Sequence, residues 1–115
     1  MKGLLIPADG PPATVELAGG GGTRFMRSLK ALIRAECVEP INITDRWEAW
    51  LDENGIAAAN PVNHAATLVA RSFGFKFSLY GTVVIVGLDK DTAEPAALSL
   101  AQAGAILEVI RAPSA

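Results

Sequence analysis

Apolar and polar residues alternate most cleanly in two stretches of the chain. In Ala13-Thr14-Val15-Glu16-Leu17 the apolar positions recur at every second residue, the mark of a strand with one buried face. In Trp47-Glu48-Ala49-Trp50-Leu51 the same period puts Trp47, Ala49 and Leu51 on one face and Glu48 and Trp50 on the other. Lys2 to Ile6 predicts a first strand, and the turn residues between Pro7 and Pro12 join it to the second as a hairpin. Leu79 to Val86 is the most apolar run and does not alternate, which predicts a central strand covered on both faces. Cys37 to Thr44 is β-prone, but Pro40 cannot donate to a ladder and assigns the stretch to a sheet edge or a bulge.

A helical period appears elsewhere. At ~100° per residue, Phe25, Met26, Leu29, Leu32 and Ile33 share one side of a helix reaching about Arg34, with Arg24, Arg27, Lys30 and Arg34 opposite. Thr23 is its expected N-cap, directly after the Gly19-Gly20-Gly21-Gly22 break. Asn60 or Asn63 is expected to cap a second helix that runs to about Phe73 and stops at Gly74. Its apolar side carries Val62, Ala65, Ala66, Leu68, Val69 and Phe73, and His64, Thr67 and Arg71 lie on the other. Asp91 and Glu94 have capping-box spacing and predict a third helix from about Thr92 to Ala103. Ala105 to Ile110 either continues that helix or forms a last strand. Asn54-Gly55 carries the strongest short hairpin signal, a type I′ turn with Ile56 to Ala59 as the returning strand. The sum is an α+β fold: one domain over residues 1–115, mainly antiparallel sheet with two or three helices packed on it.

Composition narrows the function classes. Half of the 115 residues are apolar and 19% are charged, which argues against intrinsic disorder. No apolar run approaches the roughly twenty residues a membrane span needs. Pro7, Asp9 and Gly10 end the Leu4-Leu5-Ile6 run too early for a secretory segment, so a soluble, cytoplasmic protein is expected. The single cysteine, Cys37, and single histidine, His64, cannot assemble a Cys/His zinc site within one chain, and no metal or cofactor is expected. A net charge of −2 gives no overall footprint for nucleic acid.

Several features taken together resemble a known family. They are the opening Met1-Lys2-x-Leu4-Leu5-Ile6-Pro7-Ala8-Asp9-Gly10, the strand end Val15-Glu16-Leu17, Val38-Glu39-Pro40, Asp52-Glu53-Asn54-Gly55, Pro61-x-Asn63-x-x-Ala66-Thr67, and the strand from Gly81 to Gly87. Over Met1 to Gly87 the chain resembles the domain of unknown function 3846, while the glycine run is longer than that pattern and residues 88–115 read as an apolar extension. The resemblance implies a small accessory protein of actinobacterial phages, their hosts or other mobile elements. It implies no activity, cofactor or catalytic residues.

Candidate chemistry is sparse. The glycine run lacks the Gly-Lys-Ser/Thr ending of a P-loop and reads as a flexible linker. His64 has no serine or cysteine beside it in sequence and reads as a solvated histidine. Asn63 combines a capping role with an amide able to hold a ligand, and a pocket formed with His64, Thr67 and Asn54 is the expected ligand site if one exists. Asp52 and Glu53 fit the chemistry of a turn, as do Asp89 and Asp91. The stripe Arg24, Arg27, Lys30 and Arg34 is the candidate interaction surface, for an acidic partner or phosphates. It carries four of the ten basic residues and has no interleaved aromatic for stacking on single strands.

Without an assembled catalytic constellation, the leading expectation is a non-enzymatic interaction protein that binds a host protein through an exposed helix or sheet edge. A small-ligand or nucleotide pocket near Asn63 comes second, and nucleic-acid binding by the basic helix third. The apolar positions Leu98, Leu100, Ile106, Leu107, Val109 and Ile110 also suggest a homodimer formed through the C-terminal segment.

Overall fold

In a computed structural model that describes residues 1–19 and 22–112, the described residues form a six-stranded antiparallel sheet and three helices. In chain order the elements are β1 (Lys2–Ile6), β2 (Ala13–Glu16), α1 (Gly22–Ile33), β3 (Val38–Asn42), β4 (Trp47–Asp52), α2 (His64–Ser72), β5 (Val83–Leu88), β6 (Pro95–Ala96) and α3 (Leu100–Arg111). The strands lie in the order β2-β1-β5-β4-β3, and the two-residue β6 pairs with the far end of β5. The fold is α+β, as the patterning predicts.

The strand chemistry explains the order. β5 pairs with β1 and β4 and is buried on both faces, which is why its sequence does not alternate. β1 and β2 form the expected hairpin, with Gly3 opposite Val15. β3 is an edge strand with Pro40 opposite Trp50. The Glu53 N–H donates to the Cys37 carbonyl at 3.0 Å, so bonded positions recur at every second residue from Cys37 and the Pro40 nitrogen faces away from β4. The outer edge therefore lacks a donor at its centre, which protects it from pairing with another strand. Gly87 is required by close approach: a Cβ there would sit 2.6 Å from the Ala97 carbonyl oxygen, where the chain passes β5 after β6.

Alternation along β4 divides the core in two. Trp50 joins Leu17, Val84 and Val86 under Phe25, Leu29 and Ile33 of α1. Trp47, Ala49 and Leu51 face the other way, into a cluster with Leu4, Ile6, Val83 and Ile85 that α2 covers with Ala66, Val69 and Ala70 and α3 with Ile106. The molecule is thus a sheet with one helix on one side and two on the other.

Several local expectations give way to longer-range ones. α1 begins at Gly22, so Thr23 lies within its first turn and is not the N-cap; Gly20 and Gly21 lie outside the described residues. Arg34 takes a left-handed conformation (φ 62°) and its N–H donates to the Lys30 carbonyl, closing the helix. The Asn54-Gly55 hairpin does not form. Neither residue has positive φ, and residues 53–59 are a coiled series of turns, because β3 and β5 already occupy both edges of β4. The central strand starts at Val83 and not at Leu79, since Gly81 turns the chain with φ 74° and Tyr80 makes only an isolated bridge to Val62. The Asp91/Glu94 capping box and its helix are also absent. The Asp89 carboxylate instead accepts from the Asp91 and Thr92 N–H groups, which holds its pKa below the usual aspartate value, and the chain continues into β6. The third helix starts at Leu100 with a capping box of Ser99 and Gln102, and it runs through Gly104 and Ala105 to Arg111, which settles the helix-or-strand alternative as helix.

Candidate functional site

The 53–59 turns and the 75–80 segment meet over the sheet face that α2 and α3 cover. No residue of either helix reaches the gap between them. What remains is a half-open cleft of about 460 Å³ beside the edge strand. Ile41 of β3, Leu51 of β4 and Leu79 form its apolar floor. Phe75 and Phe77 stand edge-to-face with ring centroids 5.6 Å apart and, with Tyr80, give it an aromatic wall. Two large apolar side chains, Ile56 and Phe77, line the cleft while remaining 74% and 72% exposed.

Local chemistry holds these walls in place. The Asp52 carboxylate accepts from the Asn54 N–H at 2.9 Å and from the Asn60 amide at 3.2 Å, and the Asn60 N–H donates to the Gly55 carbonyl at 2.9 Å. These bonds fix the turn that carries Ile56. On the other wall, the Leu79 N–H donates to the Thr67 hydroxyl and the Asn63 N–H to the Leu79 carbonyl. A side chain at Gly81 would be strained, because the residue takes φ 74° and a Cβ there would also crowd the Asn60 amide nitrogen at 2.9 Å.

Asn63 supports the cleft from beneath and does not line it. It is fully buried, its amide donates to the Ile6 and Gly81 carbonyls at 2.8 Å each, and its oxygen accepts from the Ala66 N–H at 2.9 Å. One side chain therefore ties the start of α2 to the end of β1 and to the loop before β5. With both amide N–H groups taken and no exposed surface, it has no open face for a ligand. Of the two alternative caps, Asn63 is the one used. A family model described as a domain of unknown function (DUF3846) matches residues 1–111.

The chain belongs to this family. The match reaches the end of α3 at Arg111, well past the stretch from Met1 to Gly87 that carries the sequence resemblance. No curated protein and no solved structure matches the chain.

The remaining sequence candidates of this DUF3846 domain do not converge. Asn54 lines the cleft. His64 is exposed at the first position of α2, and Thr67 is buried with its hydroxyl engaged by the backbone, not on a polar helix face with His64 and Arg71. The predicted apolar side of α2 is also shifted: Leu68 and Phe73 are exposed, and Ala70 takes their place in the core. Arg24, Arg27, Lys30 and Arg34 are all exposed, and no ion pair engages them among the described residues. Their stripe lies on α1, across the sheet from the cleft. Most apolar residues of α3 pack on the chain's own core, leaving Leu100, 91% exposed, as its one large apolar residue facing solvent.

Sequence reasoning missed Ile56, Phe75, Phe77 and Tyr80. A signal was available in Phe75-Lys76-Phe77, an apolar–polar alternation directly after a helix stop, where no strand forms to bury it. The alternation puts Glu48 on the face of Trp50 and assigns it no role. It is buried beside Trp50, whose indole N–H donates to its carboxylate at 2.9 Å. Loss of solvent raises its pKa above the usual glutamate range, and the indole hydrogen bond opposes that shift only in part. No group of three or more histidine, cysteine or acidic residues able to hold a metal ion occurs among the described residues. No helix among them is long and apolar enough to cross a membrane.

Proposed function

We propose that this DUF3846 domain is a non-enzymatic interaction module that receives an apolar group of a partner protein in the cleft between the 53–59 turns and the 75–80 segment. One observation carries the reading: Ile56 and Phe77, both about three-quarters exposed, stand on the same half-open apolar cavity. Scattered exposed apolar residues need no explanation, but apolar residues gathered on a concavity mark binding surfaces. The phage and mobile-element setting implied by the family resemblance makes a host protein the natural partner. The binding surface is then neither the helix nor the sheet edge expected from sequence, since Pro40 blunts main-chain pairing along β3.

Affinity capture from a bacterial lysate, with the wild type beside an Ile56→Asp/Phe77→Asp double variant, tests this reading. A protein retained by the wild type and lost by the variant is the expected result. Partners retained equally by both would overturn it. The cleft volume also suits a small metabolite, for which about 300–1,000 Å³ is usual. Under that second reading a metabolite would raise the melting temperature of the wild type but not that of the double variant.

A further inference from the structure

The charge on the cleft is one-sided. Glu39, Asp52 and Glu53 line it, and no lysine, arginine or histidine does. Lys76 lies between the two phenylalanines in sequence, but with Arg71, Gly74 and Phe75 it lines an adjoining depression, so these two cations border the aromatic wall without lining the cleft. The three acidic residues gather at one end of the β3–β4 pair: Glu39 lies opposite Leu51 on the edge strand, Asp52 ends β4, and Glu53 opens the turn. Glu39 and Glu53 are exposed, so they add a field at the mouth without the desolvation that burial would bring. The aromatic wall of Phe75, Phe77 and Tyr80 supplies the other half of a cation's preferred surroundings, because ring faces carry negative electrostatic potential.

Resting on the binding reading above, we infer that the occupant of the cleft is a basic, apolar segment of a partner protein, which lays an arginine or lysine across the aromatic wall beneath the carboxylates and an adjacent apolar side chain on the Ile41–Leu51–Leu79 floor. The long aliphatic stems of these two residues suit an apolar channel, and their heads suit an acidic mouth. A protein segment fits better than a free small cation. Ile56 and Phe77 extend apolar surface beyond the cavity, and a ligand confined to the cavity would leave that surface in water.

The test is a peptide selection on the full chain. A random displayed peptide library is panned on the wild type and counter-selected on the Ile56→Asp/Phe77→Asp variant, so that only cleft-dependent peptides survive. Enrichment of arginine and lysine over aspartate and glutamate, next to an aromatic or branched aliphatic residue, is the expected outcome. The selected peptides should bind a Glu39→Lys/Glu53→Lys variant at least about tenfold more weakly, and raised salt should weaken wild-type binding. Both positions are exposed, so matching melting curves for wild type and variant verify that the fold is intact. Cleft-dependent peptides of neutral or acidic composition, or basic peptides indifferent to the two charge reversals, would overturn this inference while leaving the binding reading in place. A selection that yields no cleft-dependent peptide would overturn both.

Discussion

The two faces of the sheet are closed to different degrees. On one, α1 alone covers Leu17, Trp50, Val84 and Val86, and its apolar stripe of Phe25, Leu29 and Ile33 is fully used. On the other, α2 and α3 pack against each other as well as on the sheet, and neither extends over Ile41 and Leu51 at the β3 side. That uncovered margin becomes the cleft. A helix that matches its sheet face leaves no apolar floor uncovered. A helix pair that falls short leaves apolar floor for loops to frame.

Substitutions on each face sharpen this contrast. The largest effect is expected on the closed face. Phe25→Ala removes a fully buried ring that stands edge-to-face with Trp50 at 5.7 Å, and should cost about 3–5 kcal/mol, read as a lower denaturant midpoint. Asn63→Ala should follow closely, because it orphans two buried carbonyls and one N–H at the start of α2, for a total of about 3 kcal/mol. It should also loosen the 79–81 wall of the cleft, which amide hydrogen exchange at Leu79 and Gly81 would register. A wild-type exchange pattern in that variant would contradict the clamp.

Glu48 gives a smaller, pH-dependent effect. Its pKa is higher in the folded than in the unfolded chain, so the folded state binds the proton more tightly. Stability from this group is therefore present below the ordinary value of 4.5 and is lost as pH rises through the elevated folded value. Glu48→Gln can still accept the Trp50 indole N–H and carries no charge to desolvate. It should melt slightly higher than wild type at neutral pH, and the gain should vanish in acid. The smallest effect on stability is expected on the open face. Ile56→Asp with Phe77→Asp should change unfolding by no more than about 0.5 kcal/mol per site, since both side chains are largely in water, yet should abolish binding.

How far the sequence revealed this architecture follows the range of the interactions involved. Pro40 limits its strand to an edge or a bulge, alternation assigns every β4 residue through Leu51 to the correct face, and Asn63 is one of the two candidate caps. Each depends on local chemistry that tertiary structure had no reason to override. The Asn54-Gly55 turn misled because its signal is local, whereas the partners of β4 lie across the chain in β3 and β5. Asp91/Glu94 and Ser99/Gln102 both have capping spacing, and only pairing of β6 with β5 decides between them. The helical period puts Thr67 on the surface, but its hydroxyl accepts from the buried Leu79 N–H. The cleft was the least legible part, because its walls come from residues 39–41, 51–57 and 75–80, and no single stretch carries its pattern.

The most direct test of the account is backbone-amide NMR of the full chain titrated with a peptide carrying alternating arginine and leucine residues. Shifts confined to Glu39, Ile41, residues 52–57 and residues 75–80 are predicted, with the Arg24–Arg34 face of α1 unmoved. Shifts along α1 with a silent cleft would contradict it.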